Sequence, residues 1–129
     1  FNGAPIHSRT CPELAQATLA TTGPNYFTPK EGDHFMALAK GCAHKRLIFG
    51  GDCYNYGLLA SGHIDLVCEA GLKLHDFAAL VPVVESAGGM MCDWNGEPLS
   101  AASADDGGGH VLALGDPARL EDVLTALAG

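Results

Sequence analysis

The chain has 129 residues, 47% of them hydrophobic and 17% charged, proportions typical of one globular domain. Seven basic and fifteen acidic residues give a formal net charge of −8. This charge argues against sequence-independent nucleic-acid binding, which requires a basic surface. No apolar run approaches the roughly 20 residues that cross a bilayer, so a membrane-spanning helix is excluded as well.

The five cysteines are dispersed and include no Cys-x-x-Cys pair, so they indicate neither a disulfide framework nor a zinc knuckle. Such cysteines fit a reducing compartment, and we expect a cytoplasmic protein. The chain starts at Phe1, and Asn2-Gly3 is a hairpin-turn dipeptide whose preceding strand would be missing. We therefore expect the chain to be part of a longer protein.

The first half of the chain alternates predicted strands with predicted helices. Strands are expected at Pro5–Ser8, Ala17–Thr21 and Lys45–Phe49. Helices are expected at 28–41, between the second and third strands, and at Cys53–Ala60, after the third. The first helix has a strong start signal, with Thr28 as N-cap, Pro29 in the first turn and Glu31 completing a capping box. The strand that follows is expected to stop at Gly50-Gly51.

The second half continues the same alternation. In chain order we expect a strand at Ile64–Glu69, a helix after Asp76, a strand at Met90–Asp93, a surface loop at Ala101–Gly109, a strand at His110–Leu114 and a helix from Asp116. Phe77, Leu80 and Val84 share one face of the first of these helices. Pro82 removes the backbone bond to the carbonyl of Ala78, which predicts a bend. Strands alternating with helices predict a layered α/β domain.

Two carboxylates flank the turn before the bent helix. Asp76 has two interpretations: it caps the helix, or it ligates a metal at a helix mouth where anions gather. One position can serve both purposes. Glu69 also has two interpretations, because a glutamate at a strand end is usually solvated, whereas one at the edge of a core tends to have a function.

The glycine pair between a strand and a helix marks a second candidate site. Gly51 lets the backbone approach a ligand closely, although a simple strand-ending turn explains it equally. Asp52 would sit at the mouth of the following helix, with Cys53 just inside. Cys53 could be a nucleophile activated by the helix N-terminus. However, no cysteine is followed at the sixth position by the arginine of a cysteine-phosphatase loop, so we set covalent cysteine catalysis aside.

The stretch GGDCYNYGLLASGHIDLVCEAGLKLHDFAALVPVVESAGG resembles the inositol monophosphatase family of magnesium-dependent phosphatases. The matching motifs are the helix-opening aspartate, Asp76, and Glu-Ser-Ala-Gly-Gly at the helix end. The Gly-Gly-Asp-Cys-Tyr-x-Tyr run and the upstream NGAPIHSRTCPELAQATLATTGPNYF resemble the histidinol-phosphatase branch. His75 and Ile48 depart from the family pattern, in which an aromatic residue and an arginine are common at these places.

The resemblance implies a layered sugar-phosphatase-type fold with a mixed β-sheet flanked by helices, of which residues 1–129 would be the C-terminal half. The family's Asp-Pro-x-Asp-Gly-Thr motif does not occur in this sequence. The N-terminal metal-binding half, with the groups that activate the attacking water, would therefore lie elsewhere. By resemblance, Asp76 would ligate Mg²⁺, and Gly51, Asp52, Cys53 and Glu69 would contact the substrate, a small phosphorylated metabolite.

For the complete enzyme, the resemblance implies a homodimeric, magnesium-dependent phosphomonoesterase acting on histidinol phosphate in histidine biosynthesis. The anionic Asp52 and Glu69 suit a cationic amino alcohol, because opposite charges attract at close range. Inositol monophosphate is the alternative substrate, and a non-catalytic binding domain is the alternative of another class. We expect the isolated chain to be inactive, because one carboxylate does not build the octahedral oxygen site that magnesium requires.

Overall fold

A computed structural model of the chain describes residues 1–42 and 46–129. Five strands form one sheet in the order β2-β1-β3-β5-β4. They are β1 Leu19–Thr21, β2 Leu47–Phe49, β3 Leu66–Glu69, β4 Met90–Cys92 and β5 Val111–Leu114. β1 pairs in parallel with β2 and β3, whereas β5 pairs antiparallel with β3 and β4. The predicted α/β fold with a mixed sheet is confirmed.

Helices cover both faces of the sheet. They are α1 Pro29–Gly41, α2 Tyr54–Ala60, α3 Leu74–Phe77, α4 Leu80–Ser86, α5 Ala101–Asp105 and α6 Leu120–Ala128. Short 3₁₀ turns lie at Leu14–Gln16, Pro24–Tyr26 and Pro117–Arg119. α1 packs against α6 on one face, and α2 packs against α4 on the other. Within residues 1–42 and 46–129, every helix is too short or too polar to cross a bilayer.

The sheet is buried on both faces, which explains its apolar strands. Leu66 and Cys68 of β3 belong to the core cluster under α1 and α6, whereas Val67 between them belongs to the cluster under α2 and α4. This alternation follows from the period of two along a strand. Because both faces carry apolar clusters, the strands are apolar except for Thr21 and Glu69 at the ends of β1 and β3.

The start of α1 is stabilised by the predicted capping box. The Thr28 hydroxyl accepts the N–H of Glu31 at 3.3 Å, and Oε1 of Glu31 accepts the N–H of Thr28 at 2.8 Å. The second carboxylate oxygen of Glu31 lies 2.5 Å from Nε2 of His110, whose ring stacks on Trp94 at 4.2 Å. Glu31 therefore caps α1 and also ties the helix to the start of β5.

This double role predicts a pH-dependent contribution to stability. Burial would raise the pKa of Glu31, but the hydrogen bonds from Thr28 and the contact with His110 outweigh it, so the pKa lies below its usual 4.5. A lowered carboxyl pKa stabilises the folded state above the unfolded-state value, and this contribution is lost as the pH falls through the folded-state pKa. Glu31→Gln should therefore lower the free energy of unfolding by about 1 kcal/mol at pH 7.

Urea unfolding of both proteins between pH 7 and pH 3 measures this effect. The difference should vanish at the acid end, where protonated glutamate and glutamine are nearly equivalent. Glu97→Gln is the matched control, because Glu97 is exposed, and it should change stability little at any pH. A Glu31→Gln difference that is constant across this pH range would show that the ionised form has no special role.

The predicted first strand, Pro5–Ser8, is wrong. The segment is extended, but the backbone N–H of Ser8 donates to the carbonyl of Ala87, just after α4, at 2.9 Å rather than to a strand. Pro5 also lacks the N–H that a strand would use. The strand predicted at Lys45–Phe49 appears as the shorter β2, and Lys45 lies outside the described residues.

The predicted surface loop Ala101–Gly109 is also wrong in part, because its first five residues form α5. The hydroxyl oxygen of Ser103 accepts the N–H of Ser100 at 2.9 Å, which caps the helix start. Ala104 is buried against the core cluster under α2 and α4. The cap and the burial of Ala104 therefore stabilise a helix at Ala101–Asp105, and the loop signal applies only to the glycines that follow it.

A buried ion pair ties the N-terminal segment to the sheet. Nε and Nη2 of Arg9 each donate to one oxygen of Asp65 at 2.8 Å, and the N–H of Thr18 donates to the same carboxylate at 2.8 Å. The side chain of Asp65 is 4% exposed, whereas that of Arg9 is 41% exposed. Because Thr18 precedes β1 and Asp65 precedes β3, the pair joins this segment to the start of both strands.

Candidate functional site

A cavity of about 370 Å³ lies where the parallel strands β1, β2 and β3 end. Thr22 follows β1, Asp52 follows β2, and Glu69 ends β3, and all three line the cavity. Asp76 and Cys53 line it as well. Ligands of α/β proteins commonly bind at the carboxyl ends of the strands. The fold thus brings four of the predicted site residues to one candidate site.

Glu69 is the buried acid of this cavity. Its residue is 6% exposed, and the hydroxyl of Thr22 donates to its Oε2 at 2.8 Å. The interpretation of Glu69 as a solvated strand end is therefore wrong. Burial raises the pKa of Glu69, the Thr22 hydrogen bond and the nearby Tyr56 hydroxyl oppose this, and the negative charges of Asp52 and Asp76 raise it further. Burying such an acid lowers stability at neutral pH, which is typical of functional sites.

Two cavity residues whose hydroxyl groups bear on Glu69 were not predicted as site residues. Thr22 lies at a strand end, and the tendency of ligands to bind there could have indicated it. Tyr56 belongs to the Gly-Gly-Asp-Cys-Tyr-x-Tyr run, yet nothing in a helical tyrosine marks it as buried beside an acid. It is 1% exposed. Burial and then the charge of Glu69 raise the pKa of Tyr56 well above its usual value.

The loop after β2 depends on its glycines. Gly50 and Gly51 have φ of 88° and 95°, and Asp52 has φ of 44°, all in the left-handed region. A Cβ on Gly51 would lie 2.5 Å from the side-chain oxygen of Asn55, whose amide donates to the carbonyl of Gly50 at 2.8 Å. Gly51 therefore shapes the loop rather than lining the cavity. Asp52 is held in a strained conformation and Cys53 is exposed just before α2.

Asp76 lies inside the first turn of α3, so its predicted position as N-cap is wrong. The helix begins at Leu74, and Oδ2 of Asp76 reaches back to accept the N–H of Lys73 at 2.8 Å. Its Oδ1 lies 3.5 Å from Nε2 of His75, and the side chain of Asp76 is 42% exposed. One carboxylate oxygen thus serves the helix start while the group remains accessible from the cavity.

The helix predicted after Asp76 is interrupted four residues before Pro82, and the predicted bend at Pro82 itself stays a prediction. The helix divides into α3 and α4 around Ala78, whose carbonyl loses its partner at Pro82. The two departures from the family pattern lie away from the cavity lining. The side chain of His75 is 82% exposed, and Ile48 packs partly buried against the cluster under α2 and α4.

The metal chemistry of the cavity is limited by its donors. Among residues 1–42 and 46–129, no group of three or more His, Cys, Asp or Glu side chains is arranged to hold a metal ion. Asp76 offers one accessible hard oxygen donor, the type that magnesium prefers. The described lining residues include three acids and no Lys, Arg or His. Asp76 therefore fits a divalent cation as a single ligand, and a complete site needs further ligands.

Known proteins are similar to nearly the whole of this chain. A model of the inositol monophosphatase family matches residues 1–125. The chloroplastic bifunctional phosphatase IMPL2 of Arabidopsis thaliana is 42% identical, over 98% of this chain and 37% of its own length. A histidinol-phosphatase of Chlorobaculum parvum is 29% identical, over 92% of this chain and 48% of its own. The chain thus spans less than half the length of these curated relatives.

Solved structures agree with the family model. An inositol monophosphatase from Zymomonas mobilis superposes with a TM-score of 0.92 at 50% identity, covering 100% of this chain and 49% of that one. The extragenic suppressor protein suhB from Bartonella henselae superposes with a TM-score of 0.79 at 19% identity, over 100% of this chain and 49% of that one, which shows the fold alone. Since both the motifs around Asp76 and the fold that carries them match over nearly the whole sequence, the chain belongs to the inositol monophosphatase family.

Proposed function

We propose that this chain is the C-terminal half of a longer magnesium-dependent phosphomonoesterase that hydrolyses histidinol phosphate. The observation that carries the proposal is the convergence of Asp52, Glu69 and Asp76 in one cavity whose described lining has no cationic side chain. Three acids would repel a phosphate, so a cation must accompany it. The same acids would attract an alcohol that carries an ammonium group.

The proposal divides the chemistry between this chain and the rest of the protein. Asp76 would supply one magnesium ligand. Further ligands would come from the rest of the complete protein, which corresponds to the part of the relatives that residues 1–129 do not cover. When bound, magnesium would neutralise the phosphate and lower the pKa of a water molecule that attacks phosphorus. The residues of this chain would bind and orient the alcohol through Asp52 and Cys53, in the loop that Gly51 shapes, and through Glu69.

Glu69 is better placed than Asp52 to select an amine. Glu69 is 6% exposed, whereas Asp52 is exposed, so water weakens the electrostatic contribution of Asp52. A charge-assisted hydrogen bond between a desolvated carboxylate and an ammonium is stronger than one to a neutral hydroxyl. We therefore assign the larger share of amine selection to Glu69.

The relatives support two substrates. The histidinol-phosphatase of Chlorobaculum parvum supports histidinol phosphate, and with it a role in histidine biosynthesis. The 50% identity to the Zymomonas mobilis inositol monophosphatase supports inositol monophosphate as the second candidate. We also propose a homodimer and a reducing, cytoplasmic compartment, the latter because all five cysteines are free.

The substrate proposal is tested with Glu69→Gln and Asp52→Asn in the complete enzyme. Each variant is assayed on histidinol phosphate and on inositol monophosphate at fixed magnesium. Loss of a charge-assisted hydrogen bond should lower kcat/KM for histidinol phosphate relative to inositol monophosphate by about tenfold to a hundredfold. The loss should lie at the upper end of this range for Glu69→Gln, because Glu69 is buried. It should lie at the lower end for Asp52→Asn, because Asp52 is exposed.

Glu97→Gln is the matched control and should leave the ratio unchanged, since Glu97 is exposed and outside the cavity lining. Equal slowing of both substrates by Glu69→Gln would show that this acid does not recognise an amine. The coding sequence upstream of Phe1 provides a separate test. An Asp-Pro-x-Asp-Gly-Thr motif there would support the two-half arrangement, and a reading frame without it would contradict that arrangement.

A further inference from the structure

The buried hydroxyl of Tyr56 is a feature of the cavity that the proposed function leaves unused. Tyr56 is 1% exposed, and its hydroxyl has no hydrogen-bond partner among the described residues. Buried hydroxyl groups are nearly always paired, because an unpaired one loses its bonds to water without replacement. An exception in the lining of a candidate site therefore needs a functional explanation.

The candidate acceptor for the Tyr56 hydroxyl is the carboxylate of Glu69, which lines the same cavity. Tyr56 and Glu69 line the same cavity, and the Tyr56 hydroxyl lowers the pKa of Glu69 as a donor would, although their contact falls outside hydrogen-bond geometry. Oε2 of Glu69 accepts the hydroxyl of Thr22 at 2.8 Å, and within residues 1–42 and 46–129 no donor to Oε1 is seen, so Oε1 can take a second donor. The ring of Tyr56 is packed in the core cluster with Leu59 and Phe77. This packing fixes the position of the ring, so the pairing depends on the orientation of the carboxylate.

We propose that Tyr56 is a positioning residue, which together with Thr22 holds the carboxylate of Glu69 in the orientation that receives a cationic group. Two hydroxyl donors on one carboxylate offset the negative charges that face it, those of Asp52 from the loop before α2 and Asp76 from α3. The role of the amine rests on the proposed function, whereas the pairing of Tyr56 with Glu69 does not.

The pairing is tested by NMR on the complete protein with ¹³C-labelled glutamate carboxyl groups. Tyr56→Phe removes only the hydroxyl oxygen, and if that hydroxyl donates to Glu69 as proposed, the substitution should raise the pKa of Glu69 by about half a unit or more. Tyr54→Phe is the matched control, since Tyr54 is 69% exposed on the same helix, and it should leave this pKa unchanged. An unchanged Glu69 titration in Tyr56→Phe would overturn the inference.

A second measurement needs no variant. The Cζ resonance of Tyr56 in the natural sequence should follow the titration of Glu69. The reason is that the hydrogen bond from the phenol is stronger to the ionised carboxylate than to the protonated acid. A Tyr56 resonance that does not respond over that pH range would likewise overturn the pairing.

The specificity role is tested by a double-mutant cycle in the complete enzyme. Tyr56→Phe should lower the preference for histidinol phosphate over inositol monophosphate by about twofold to tenfold, mainly through KM, and should have no further effect when Glu69 is already glutamine. The same loss in both backgrounds would show that Tyr56 does not act through Glu69. If the unmodified enzyme showed no preference for the amine, the proposed substrate would fail, while the NMR titration would still decide the pairing.

Discussion

Asp76→Asn is expected to lower the activity of the complete enzyme by about a hundredfold or more. Even residues that only orient a metal ligand typically change activity or metal affinity by about 10–100-fold, so removal of an anionic ligand should exceed that range. Asparagine is also a poorer ligand for magnesium, because the cation prefers charged oxygen donors. The apparent affinity for magnesium should therefore fall together with kcat.

The same substitution should change the fold little. Oδ2 of Asp76 accepts the N–H of Lys73, and the amide oxygen of asparagine can replace it. What is lost is the favourable charge in the first turn of α3, a contribution of about 0.3–1 kcal/mol. Urea unfolding should therefore show a decrease of less than about 1 kcal/mol, and the comparison with kinetics separates the role of metal ligand from that of helix start.

Asp93→Asn is the matched control for this prediction. Oδ1 of Asp93 accepts the N–H groups of Asn95 and Glu97 at 2.8 and 2.9 Å, so it supports a turn in the same way but outside the cavity lining. It should leave magnesium dependence unchanged. If Asp76→Asn retained most of the activity, the carboxylate would serve only the start of α3.

Arg9→Met is expected to lower the free energy of unfolding by about 3 kcal/mol. The substitution leaves the carboxylate of Asp65, whose side chain is 4% exposed, with the N–H of Thr18 as its remaining donor in the described contacts. Removal of one partner of a buried ion pair typically costs about 3–5 kcal/mol. The lower end applies here, because the side chain of Arg9 is 41% exposed and water can reach the site.

Arg46→Met tests whether any arginine has this effect. Nη1 of Arg46 donates to the carbonyl of Gln16 at 3.1 Å in an exposed position, so its loss should cost less than about 1 kcal/mol. Urea titrations of the 129-residue chain with a common m-value measure both variants. Similar destabilisation by both would contradict a special role for the Arg9–Asp65 pair.

Short-range signals in the sequence were sufficient where an element's ends are set by near neighbours. The capping box of Thr28 and Glu31 spans four residues, and Asn2 and Gly3 have φ of 51° and 82°, which makes a tight turn although no strand follows it. Such contacts form between residues close in the chain. They are therefore readable without knowledge of the fold.

The wrong predictions share a dependence on distant partners. Whether Pro5–Ser8 joins a strand is decided by Ala87, which takes the N–H of Ser8 across 79 residues. Whether Ala101–Asp105 forms a helix is decided partly by the burial of Ala104. Local composition carries no information about either contact.

In the candidate site, too, some features depend on the local sequence and others on contacts between distant residues. The sequence by itself determined the chemical types at the strand ends and helix starts, including Asp52, Glu69 and Asp76. Only the tertiary structure decided that these acids share one cavity, because the parallel pairing of β1 with β2 and β3 brings their carboxyl ends together. Packing alone also decided that Tyr56 lies buried beside Glu69, since burial depends on contacts among residues far apart in the chain.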